Sequence, residues 1–542
     1  MNGATTGERL ELAQAMQAEG SSGLGRRDFM RYAGAGAVLL GGASGLAACS
    51  SSTSSGTGTT GGTPKKGGTL TAGLAGGNAS DTVDGQKGVN NVDFSRIIAL
   101  YDALSRYDIN AQIENGLAES FEPNSTATEW TIKLKSGVEF HNGKTLTADD
   151  VIFSLTRVVK GNLGGASSMA NIDLASMKKL DDLTVLVPFK TPYATFPAGY
   201  TGYYYYLSIL PTDYDVHNPV GTGPFKYQSF TPGQTSTFVR NPNYYGSTGG
   251  KGPYIDTLVI NDLADENTQI NAMLAGQADA INLLSFTSIP RVQAAGQILI
   301  GTGGGMTPFT MRVDQAPFND VRVRQAFRLI ADRKQMMNLV FGGHGTLGND
   351  IFSPWDPDID SSIPQREQDI NQAKSLLAAA GQSGLTVELV TSDIAQGTTK
   401  VAQVFAQQAK AAGVTVNLRT VTATDFYGTQ YLKWTFAQDY WYYSQYLPQI
   451  AQATLPISPF NETHWSDPTY VALYNQAIAI TDPAKRRDVA HQLQAIDHTS
   501  GGYIIPYFPP TIDGLSKRVH GAQAGKVGLS FGNYSFKDMW LE

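Results

Sequence analysis

The chain has 542 residues, a formal net charge of −7 at pH 7, and a hydrophobic fraction of 41%. This length is too great for one core, so two or more lobes are expected. No basic run is present, which argues against a nucleic-acid partner. The seven histidines are scattered, and Cys49 is the only cysteine, so we expect neither a metal site nor a cofactor. An internal disulfide and a cysteine nucleophile in the folded body are excluded.

The first 48 residues have the features of an export signal. Arg26 and Arg27 resemble a twin-arginine motif, and they precede an uncharged, Gly/Ala-rich run, Tyr32–Ala48. This run is too short and too mildly apolar for a stable transmembrane helix. It ends in Leu46-Ala-Ala-Cys49, which resembles a bacterial lipobox. We expect cleavage before Cys49, lipidation of its thiol, and attachment to the outer face of the cytoplasmic membrane.

Residues 49–67 contain mostly Ser, Thr and Gly, a composition that predicts a flexible tether. Thr69–Leu74 is predicted to be the first strand. Gly76, Gly77 and Asn78 follow it, and the two glycines allow close approach of the backbone to a ligand or to another loop. We therefore place these three residues among the candidate ligand-binding positions.

Residues 91–206 are predicted to form a small α+β insertion. The elements expected in it are a helix over Ser95–Tyr107, a strand around Trp130–Leu134, a helix capped by Thr147, and a strand over Leu183–Phe189. The insertion ends in a run with five tyrosines, Tyr200–Tyr206. These rings could pack on the surface or face a cleft.

The middle of the chain alternates strands and helices. The pattern predicts strand Tyr254–Asp262, helix Asn267–Leu274, strand Ala278–Leu284, one helix over Val321–Val340, and helix Asn371–Ala380. Late helices are expected over Asp467–Ala479 and Pro483–Ile496, followed by a strand over Tyr503–Tyr507. No internal repeat is evident.

Between these segments, residues 385–440 follow a strand, helix, strand, helix, strand pattern. The strands are expected at Leu385–Val390, Val414–Leu418 and Thr435–Tyr440, with a short helix at Asp425–Leu432. This order predicts a parallel sheet with right-handed crossovers. Such sheets bind ligands beyond the carboxyl ends of their strands.

Beyond the third of these strands lies a dense aromatic run. Five of the seven residues over Tyr440–Tyr446 are aromatic: Tyr440, Trp441, Tyr442, Tyr443 and Tyr446. We interpret the run as one wall of a ligand cleft. For any single ring, packing in the core is an equally good interpretation.

Longer motifs resemble the extracellular solute-binding proteins of peptide-type ABC transporters, family 5. The matching segments are Tyr101–Leu104, Gly116–Ser120, Trp130–Lys144, Leu146–Val151, Val220–Phe225, Arg240–Tyr244, Phe318–Phe327 and Asp482–Arg486. They span nearly the whole chain after the tether.

The resemblance implies an α/β fold: a two-lobed periplasmic-binding-protein clamp (type II, cluster C-like) with an extra α+β domain. Lobe I would comprise residues 68–90, 207–305 and 504–542. The extra domain would comprise residues 91–206, and lobe II residues 306–503. Chain crossings between the lobes would form the hinge.

The resemblance also marks a departure at the ligand site. Peptide-binding members hold the ligand's free amine with an aspartate in a pattern similar to Trp-x-x-Asp-Tyr-x-x-Pro. Here Trp441-Tyr-Tyr-Ser444 places a serine where the aspartate would stand. A hydroxyl does not pair with an ammonium as a carboxylate does. Asp439 is a possible substitute, and the rings would also suit an oligosaccharide or another neutral solute.

The expected function is therefore solute binding for an ABC importer, as a monomer that works with a permease and separate ATPase subunits. The chain has no phosphate-binding loop, so the ATPase would be another protein. The two alternative classes are a secreted hydrolase, for which the sequence shows no nucleophile motif, and a surface sensor without a transporter. The chain is not expected to be an enzyme.

Overall fold

The structure is a computed structural model that describes residues 62–542. In chain order its strands are β1 (Thr69–Ala75), β2 (Ser105–Tyr107), β3 (Ile113–Asn115), β4 (Ala118–Pro123), β5 (Glu129–Leu134), β6 (Lys178–Asp181), β7 (Thr184–Pro188), β8 (Phe225–Thr231), β9 (Thr235–Arg240), β10 (Thr257–Leu263), β11 (Ala280–Ile281), β12 (Gly296–Gly301), β13 (Phe309–Met311), β14 (Thr346–Leu347), β15 (Thr386–Thr391), β16 (Thr415–Thr420), β17 (Phe436–Gln438), β18 (Tyr503–Ile504), β19 (Tyr507–Phe508), β20 (Thr511–Ser516), β21 (Val519–His520) and β22 (Trp540–Leu541).

The α-helices are α1 (Asn91–Leu100), α2 (Ala148–Lys160), α3 (Ala166–Met169), α4 (Phe196–Thr201), α5 (Glu266–Leu274), α6 (Ile289–Gln293), α7 (Val321–Ile330), α8 (Arg333–Phe341), α9 (Ile370–Ala379), α10 (Thr398–Ala411), α11 (Ala423–Phe426), α12 (Tyr446–Ala453), α13 (Pro468–Ala479) and α14 (Pro483–Ser500). A short turn over Ser530–Tyr534 has left-handed backbone angles.

The larger sheet has seven strands in the order β12-β20-β11-β1-β10-β9-β8, and we call it the lobe I sheet. Strand β1 lies at its centre, parallel to both β10 and β11. Its alternate residues Leu70, Ala72 and Leu74 are fully buried. Strand β20, near the end of the chain, pairs antiparallel with β11 and β12. The sheet therefore joins strands from three separated parts of the sequence.

The second sheet has five strands in the order β16-β15-β17-β13-β18, and we call it the lobe II sheet. Strand β15 is parallel to β16 and β17, and α10 connects β15 to β16. This arrangement confirms the parallel strand–helix–strand prediction for this region. The helix expected over Asp425–Leu432 is wrong in length: α11 ends at Phe426, and Leu432 has a positive φ of 64°.

The inserted region contains the four-stranded sheet β4-β5-β7-β6, packed against α2. As predicted, Thr147 caps α2, with a capping box shared with Asp150; Val151, Leu155 and Val158 are its buried apolar side chains. Helix α1 begins four residues earlier than predicted and ends at Leu100. It packs against β1 and β8 of the lobe I sheet.

The single helix predicted over Val321–Val340 is also wrong. The structure has two helices, α7 and α8, separated by Ala331 and Asp332. The Asp332 side chain accepts a hydrogen bond from the Gln335 backbone N–H and so starts the second helix. Hydrophobic periodicity continued through the break, which is why the sequence pattern did not reveal it.

A buried ionic network holds α1 against the lobe I sheet. The fully buried Arg96 guanidinium donates to Asp81 Oδ2 at 2.8 Å, to Asp93 Oδ1 at 3.0 Å, and to Asp262 at the end of β10. Burial is the main cause that raises the pKa of Asp93 to about 7 and that of Asp262 to about 6. One cation thus serves three carboxyl groups.

In lobe II, a single buried carboxylate, Asp350, is surrounded by several guanidinium groups. This buried carboxylate accepts two hydrogen bonds from Arg333 and one from Arg366, all at 2.8 Å, while Arg328 Nε lies 3.9 Å away. Burial opposes the charged form, but the three guanidinium groups outweigh it and lower the pKa of Asp350. Asp350 Oδ1 also accepts the Ile505 N–H at 2.9 Å, which attaches the network to a segment passing between the sheets.

The chain passes between the sheets at residues 302–308 and again at residues 505–510. The two passages touch: a Cβ added at Gly303 would lie 1.6 Å from the Pro509 carbonyl oxygen. Thr346, which pairs with Phe508 where β14 meets β19, donates its hydroxyl hydrogen to the Thr302 carbonyl at 3.2 Å. These contacts form the connection about which the lobes are expected to move.

Replacing Arg96 with Met should lower the free energy of unfolding by about 3–5 kcal/mol, because three buried carboxyl groups lose their counter-charge. The loss should be larger at pH 8 than at pH 5. Arg96 acts to lower the pKa values of Asp93 and Asp262, so without it these values should rise further above their unfolded values. The carboxyl groups of the variant can then stay protonated in the fold at pH 5, whereas at pH 8 the fold must bury anions without a counter-charge or take up protons that the unfolded chain does not hold. Urea unfolding followed by tryptophan fluorescence measures both effects.

Arg240→Met is the matched control, because Arg240 forms a partly exposed pair with Asp256 and should cost less than about 1 kcal/mol. Equal losses for the two variants would contradict the importance of the buried network.

Candidate functional site

The carboxyl edge of the lobe I sheet carries Gly76, Gly77 and Asn78 after β1, Asp262 at the end of β10, and Asn282 after β11. Gly76 has a φ of +105°, and a Cβ added there would meet no atom within 4 Å. Gly77 is packed closely, since an added Cβ would lie 2.4 Å from Asp262 Cγ. The Arg96 network therefore holds a carboxylate directly against this loop.

Asn78 is fixed by its own turn. Its backbone N–H donates to Asp81 Oδ1 at 3.0 Å, and its side-chain oxygen accepts the Ser80 N–H at 2.9 Å. Its Nδ2 is buried and has no hydrogen-bond partner. Asn78 therefore presents an unused donor in this loop.

The carboxyl edge of the lobe II sheet carries the aromatic run after β17. Trp441 turns into lobe II: its Nε1–H donates to Glu462 Oε1 at 3.1 Å, and its ring packs against Phe460. The Trp441 and Met306 backbones exchange two hydrogen bonds of 2.9 Å. Trp441 is only 4% exposed, so its ring packs inside lobe II beneath the rest of the aromatic run.

The neighbouring Tyr442 and Tyr443 point away from the interior of lobe II. Their rings contact aromatic rings of α1 and of the inserted region. The Tyr442 ring centroid lies 6.0 Å from Phe94 and 6.0 Å from Tyr205, and Tyr443 lies 5.1 Å from Tyr107. We call these five residues the interlobe ring cluster. Burial, reinforced by nearby tyrosine hydroxyls, holds the pKa of Tyr442 well above its usual range. The cluster therefore presents neutral hydroxyls between the lobes.

Tyr440 lies beside this cluster, with its ring centroid 4.9 Å from that of Tyr442. Tyr446, the last aromatic residue of the run, is fully buried and donates to Asp497 Oδ2 at 2.6 Å. The aromatic run predicted to line the cleft is thus divided. Tyr442 and Tyr443 face the other lobe, whereas Trp441 and Tyr446 pack inside lobe II.

Asp439 is 1% exposed and is surrounded by donors. Its carboxylate accepts hydrogen bonds from Tyr427 at 2.6 Å, Tyr431 at 3.0 Å and the Tyr440 N–H at 2.7 Å. All three donors belong to lobe II. To bind an amine of the ligand, the Asp439 carboxylate would have to give up one or more of these hydrogen bonds.

Ser444 lies close to the inserted domain. A Cβ added at Gly202 would lie 2.6 Å from Ser444 Oγ, and this buried hydroxyl hydrogen-bonds to Tyr107 and so acts to lower its pKa. Asp356, a buried carboxylate near this position, is not among the residues predicted from the sequence. It accepts the Tyr446 N–H at 2.5 Å, and burial raises its pKa to about 6. Its charge also helps burial to raise the pKa of Tyr107.

Asn282, Ser530 and Tyr534, three buried side chains of lobe I, are not among the residues predicted from the sequence. Ser530 and Asn282 hydrogen-bond to the Tyr534 hydroxyl and so oppose the rise of its pKa that burial causes. A polar residue directly after a predicted strand was an available signal for Asn282. Nothing in the local sequence placed the other two beside it.

Several predicted positions lie outside the described residues, namely Arg26, Arg27 and Cys49. Within residues 62–542, no group of three or more His, Asp or Glu side chains is arranged to hold a metal ion. Over the same residues, no helix combines the length and the apolar character needed to cross a membrane.

This fold is that of the two-lobed solute-binding proteins. The structure of the ABC transporter substrate-binding protein CtaP from Listeria monocytogenes matches with a TM-score of 0.76 and 19% identity, over 88% of this chain and 100% of that chain. Residues 112–468 match the family model of the bacterial extracellular solute-binding proteins, family 5 Middle. The chain therefore belongs to family 5 of these proteins.

Relatives of this chain are named for different ligands. Oligopeptide-binding protein AppA of Bacillus subtilis is 28% identical over 303 residues, which span 52% of this chain and 54% of AppA. Heme-binding protein A of Haemophilus influenzae is 26% identical over 459 residues, which span 76% of this chain and 82% of that protein. Membership of the family therefore leaves the solute of this chain open.

Replacing Tyr442 with Ala should open the clamp in the absence of solute. The change removes the contacts with Phe94 and Tyr205, and aromatic pairs contribute about 0.5–1.5 kcal/mol each beyond their buried area. Small-angle X-ray scattering of the ligand-free protein should show a larger radius of gyration.

Tyr227→Ala is the control, because this partly buried ring belongs to β8 within lobe I alone and should leave the radius of gyration unchanged. An unchanged radius for Tyr442→Ala would mean that its contacts do not favour closure.

Proposed function

We propose that this protein is the extracytoplasmic solute-binding component of an ABC importer, which closes its two lobes on a peptide or peptide-like solute. One observation carries the proposal: at the meeting edges of the two sheets, the rings of Tyr442 and Tyr443 contact Phe94, Tyr205 and Tyr107 of the opposite side, and the loop after β1 holds the buried Asn78 Nδ2 without a partner. Such a mixture of flat apolar surface and a few placed hydrogen-bonding groups is typical of small-molecule sites. The closed clamp then delivers its solute to a permease, and separate ATPase subunits drive transport.

A second candidate solute is an oligosaccharide or another neutral molecule. Ser444 favours it, because the chain has a hydroxyl where peptide-binding relatives are expected to have a carboxylate. The buried Asp356 near Ser444 favours the peptide, since a carboxylate of raised pKa gains most from a cationic partner. The same clamp acting as a surface sensor without a transporter is the third candidate.

Native mass spectrometry of the protein, purified without refolding, distinguishes these solutes. A co-purifying series of masses separated by amino-acid residue masses is expected for a peptide binder. A ladder of hexose masses would instead support the neutral solute. If the protein is purified empty, thermal-shift titration with tetra-alanine and maltotriose replaces the first measurement, and stabilisation by neither would contradict both solute classes.

We also propose that acylated Cys49 attaches the protein to the outer face of the cytoplasmic membrane. Export would depend on Arg26 and Arg27, and the protein would act as a monomer. Two membrane signals are generally needed for stable anchoring, and the multiple acyl chains expected at a lipobox cysteine meet this requirement.

Cys49→Ser should move the protein from the membrane fraction to the soluble exported fraction and abolish metabolic labelling with palmitate. Ser51→Ala, two residues away in the tether, is the control and should stay with the membrane. Replacing both Arg26 and Arg27 with Lys should retain the unprocessed chain inside the cell. Membrane retention of Cys49→Ser would disprove the lipid anchor.

A further inference from the structure

The inserted region is hydrogen-bonded to lobe II as well as packed against lobe I. The Ala194 backbone N–H, just before α4, donates to the Ile478 carbonyl of α13 at 2.7 Å. Ala194 is only 6% exposed, so this hydrogen bond is largely covered from water. It connects two parts of the protein that the chain itself joins only through lobe I.

The acceptor of this bond is a carbonyl at a helix end. Ile478 lies in the last turn of α13, and the last four carbonyls of an α-helix have no partner within the helix. The negative end of the helix dipole lies at the same place. An N–H group from outside the helix is therefore a favourable partner, and the inserted region supplies it.

The donor is positioned by a tight turn. The Phe196 N–H donates to the Tyr193 carbonyl at 3.1 Å, which places Ala194 and Thr195 at the two central positions of a β-turn. Thr195 has a φ of −101° and a ψ of 21°, close to the values for the second central residue of a type I turn. The Ala194 N–H takes no part in the hydrogen bond of the turn itself, so it is available to lobe II.

Further contacts extend this interface on both sides. Gly202, at the end of α4, lies so close to lobe II that an added Cβ would be 2.6 Å from Ser444 Oγ. Helix α3 packs against α12 of lobe II. The Gln112 side-chain amide donates to the Trp355 carbonyl at 3.3 Å. We call the Ala194–Ile478 hydrogen bond, the Gly202–Ser444 contact and the packing of α3 on α12 the clasp.

Opening the clamp separates the two halves of the clasp, because they belong to the two sides that meet at the interlobe ring cluster. In the open form the Ala194 N–H and the Ile478 carbonyl bond to water instead. The hydrogen bond then favours the closed form by its net value, which corresponds to about three- to tenfold in the equilibrium. The packing of α3 on α12 acts in the same direction.

We propose that the inserted region holds lobe II in the closed position through the clasp, and that it does so without solute. The proposal rests on the proposed function, because the clasp acts on the closure of that clamp. It gives the inserted region a regulatory role: the ease of opening, and with it the release of solute, depends on contacts outside the interlobe ring cluster.

The test measures the distance between the inserted region and lobe II in protein dialysed free of solute. Cysteines that replace the exposed Lys190 and Lys485 carry spin labels, in a chain with Cys49→Ser so that no other thiol reacts. Double electron–electron resonance then gives the distribution of distances between the labels. One dominant distance, that of the closed structure, is expected for this parent chain.

Ala194→Pro removes the N–H and keeps the turn, because proline is favoured at the first central position of a type I turn. It should lower the ratio of closed to open molecules about three- to tenfold, seen as the growth of a longer distance. Ala194→Gly is the matched control, since it keeps the N–H, and it should leave the distribution unchanged.

Gly202→Ala tests a second contact of the clasp. The Gly202 backbone, with a φ of −57° and a ψ of −20°, accepts alanine, so the close approach of the added Cβ is to lobe II. This variant should also populate the longer distance. Ser444→Ala in the same chain removes the oxygen that the Cβ meets and should restore the short distance. Urea unfolding followed by tryptophan fluorescence shows that each variant is folded.

Identical distributions in the parent chain, Ala194→Pro and Gly202→Ala would overturn the clasp, as would an open distribution in the solute-free parent chain. These outcomes are independent of the tetra-alanine and maltotriose titrations. A longer distance in Ala194→Pro, in a protein that binds neither solute, would preserve the clasp and contradict the proposed solute classes. Solute binding by a protein whose label distances do not respond to Ala194→Pro would do the reverse.

Discussion

The burial of Arg96 among three carboxyl groups organises the lobe I side of the cleft. An uncompensated buried charge is costly, so the guanidinium and its partners must stay together. Their positions join α1, the loop after β1 and the end of β10. Asp262, held by Arg96, in turn packs against Gly77 and leaves no space for a side chain there. The shape of the loop that faces the cleft thus follows from one ionic network.

Lobe II also contains a buried ionic network, but there one carboxylate is shared by several guanidinium groups. Asp350 is shared by Arg333 and Arg366, with Arg328 nearby, and it also binds the backbone of Ile505 where the chain passes between the sheets. Each lobe therefore has its own buried ionic network, which resists deformation inside that lobe. Rigid bodies joined by two adjacent passages of chain favour closure by rotation about that connection, with little change inside either lobe.

The cleft combines two kinds of surface. Under the proposed function, the interlobe ring cluster would offer flat, neutral surface to the solute. Buried polar atoms such as Asn78 Nδ2, in the loop after β1, are fixed in place. Selectivity is expected to come from these atoms, because an unmatched buried polar group costs more than an imperfect ring contact.

The sequence by itself determined the elements whose pattern is local. The strand–helix–strand order over residues 385–420, the capped helix at Thr147, and the aromatic run at the end of a lobe II strand all follow from periodicity and capping. Only the tertiary structure decided that Trp441 turns into lobe II while Tyr442 turns outward, and that the donors around Asp439 come from its own lobe. It also brought Asn282 beside Ser530 and Tyr534. Their meeting depends on the pairing of β11 with β20, and such long-range pairing leaves no mark in the local pattern of either segment.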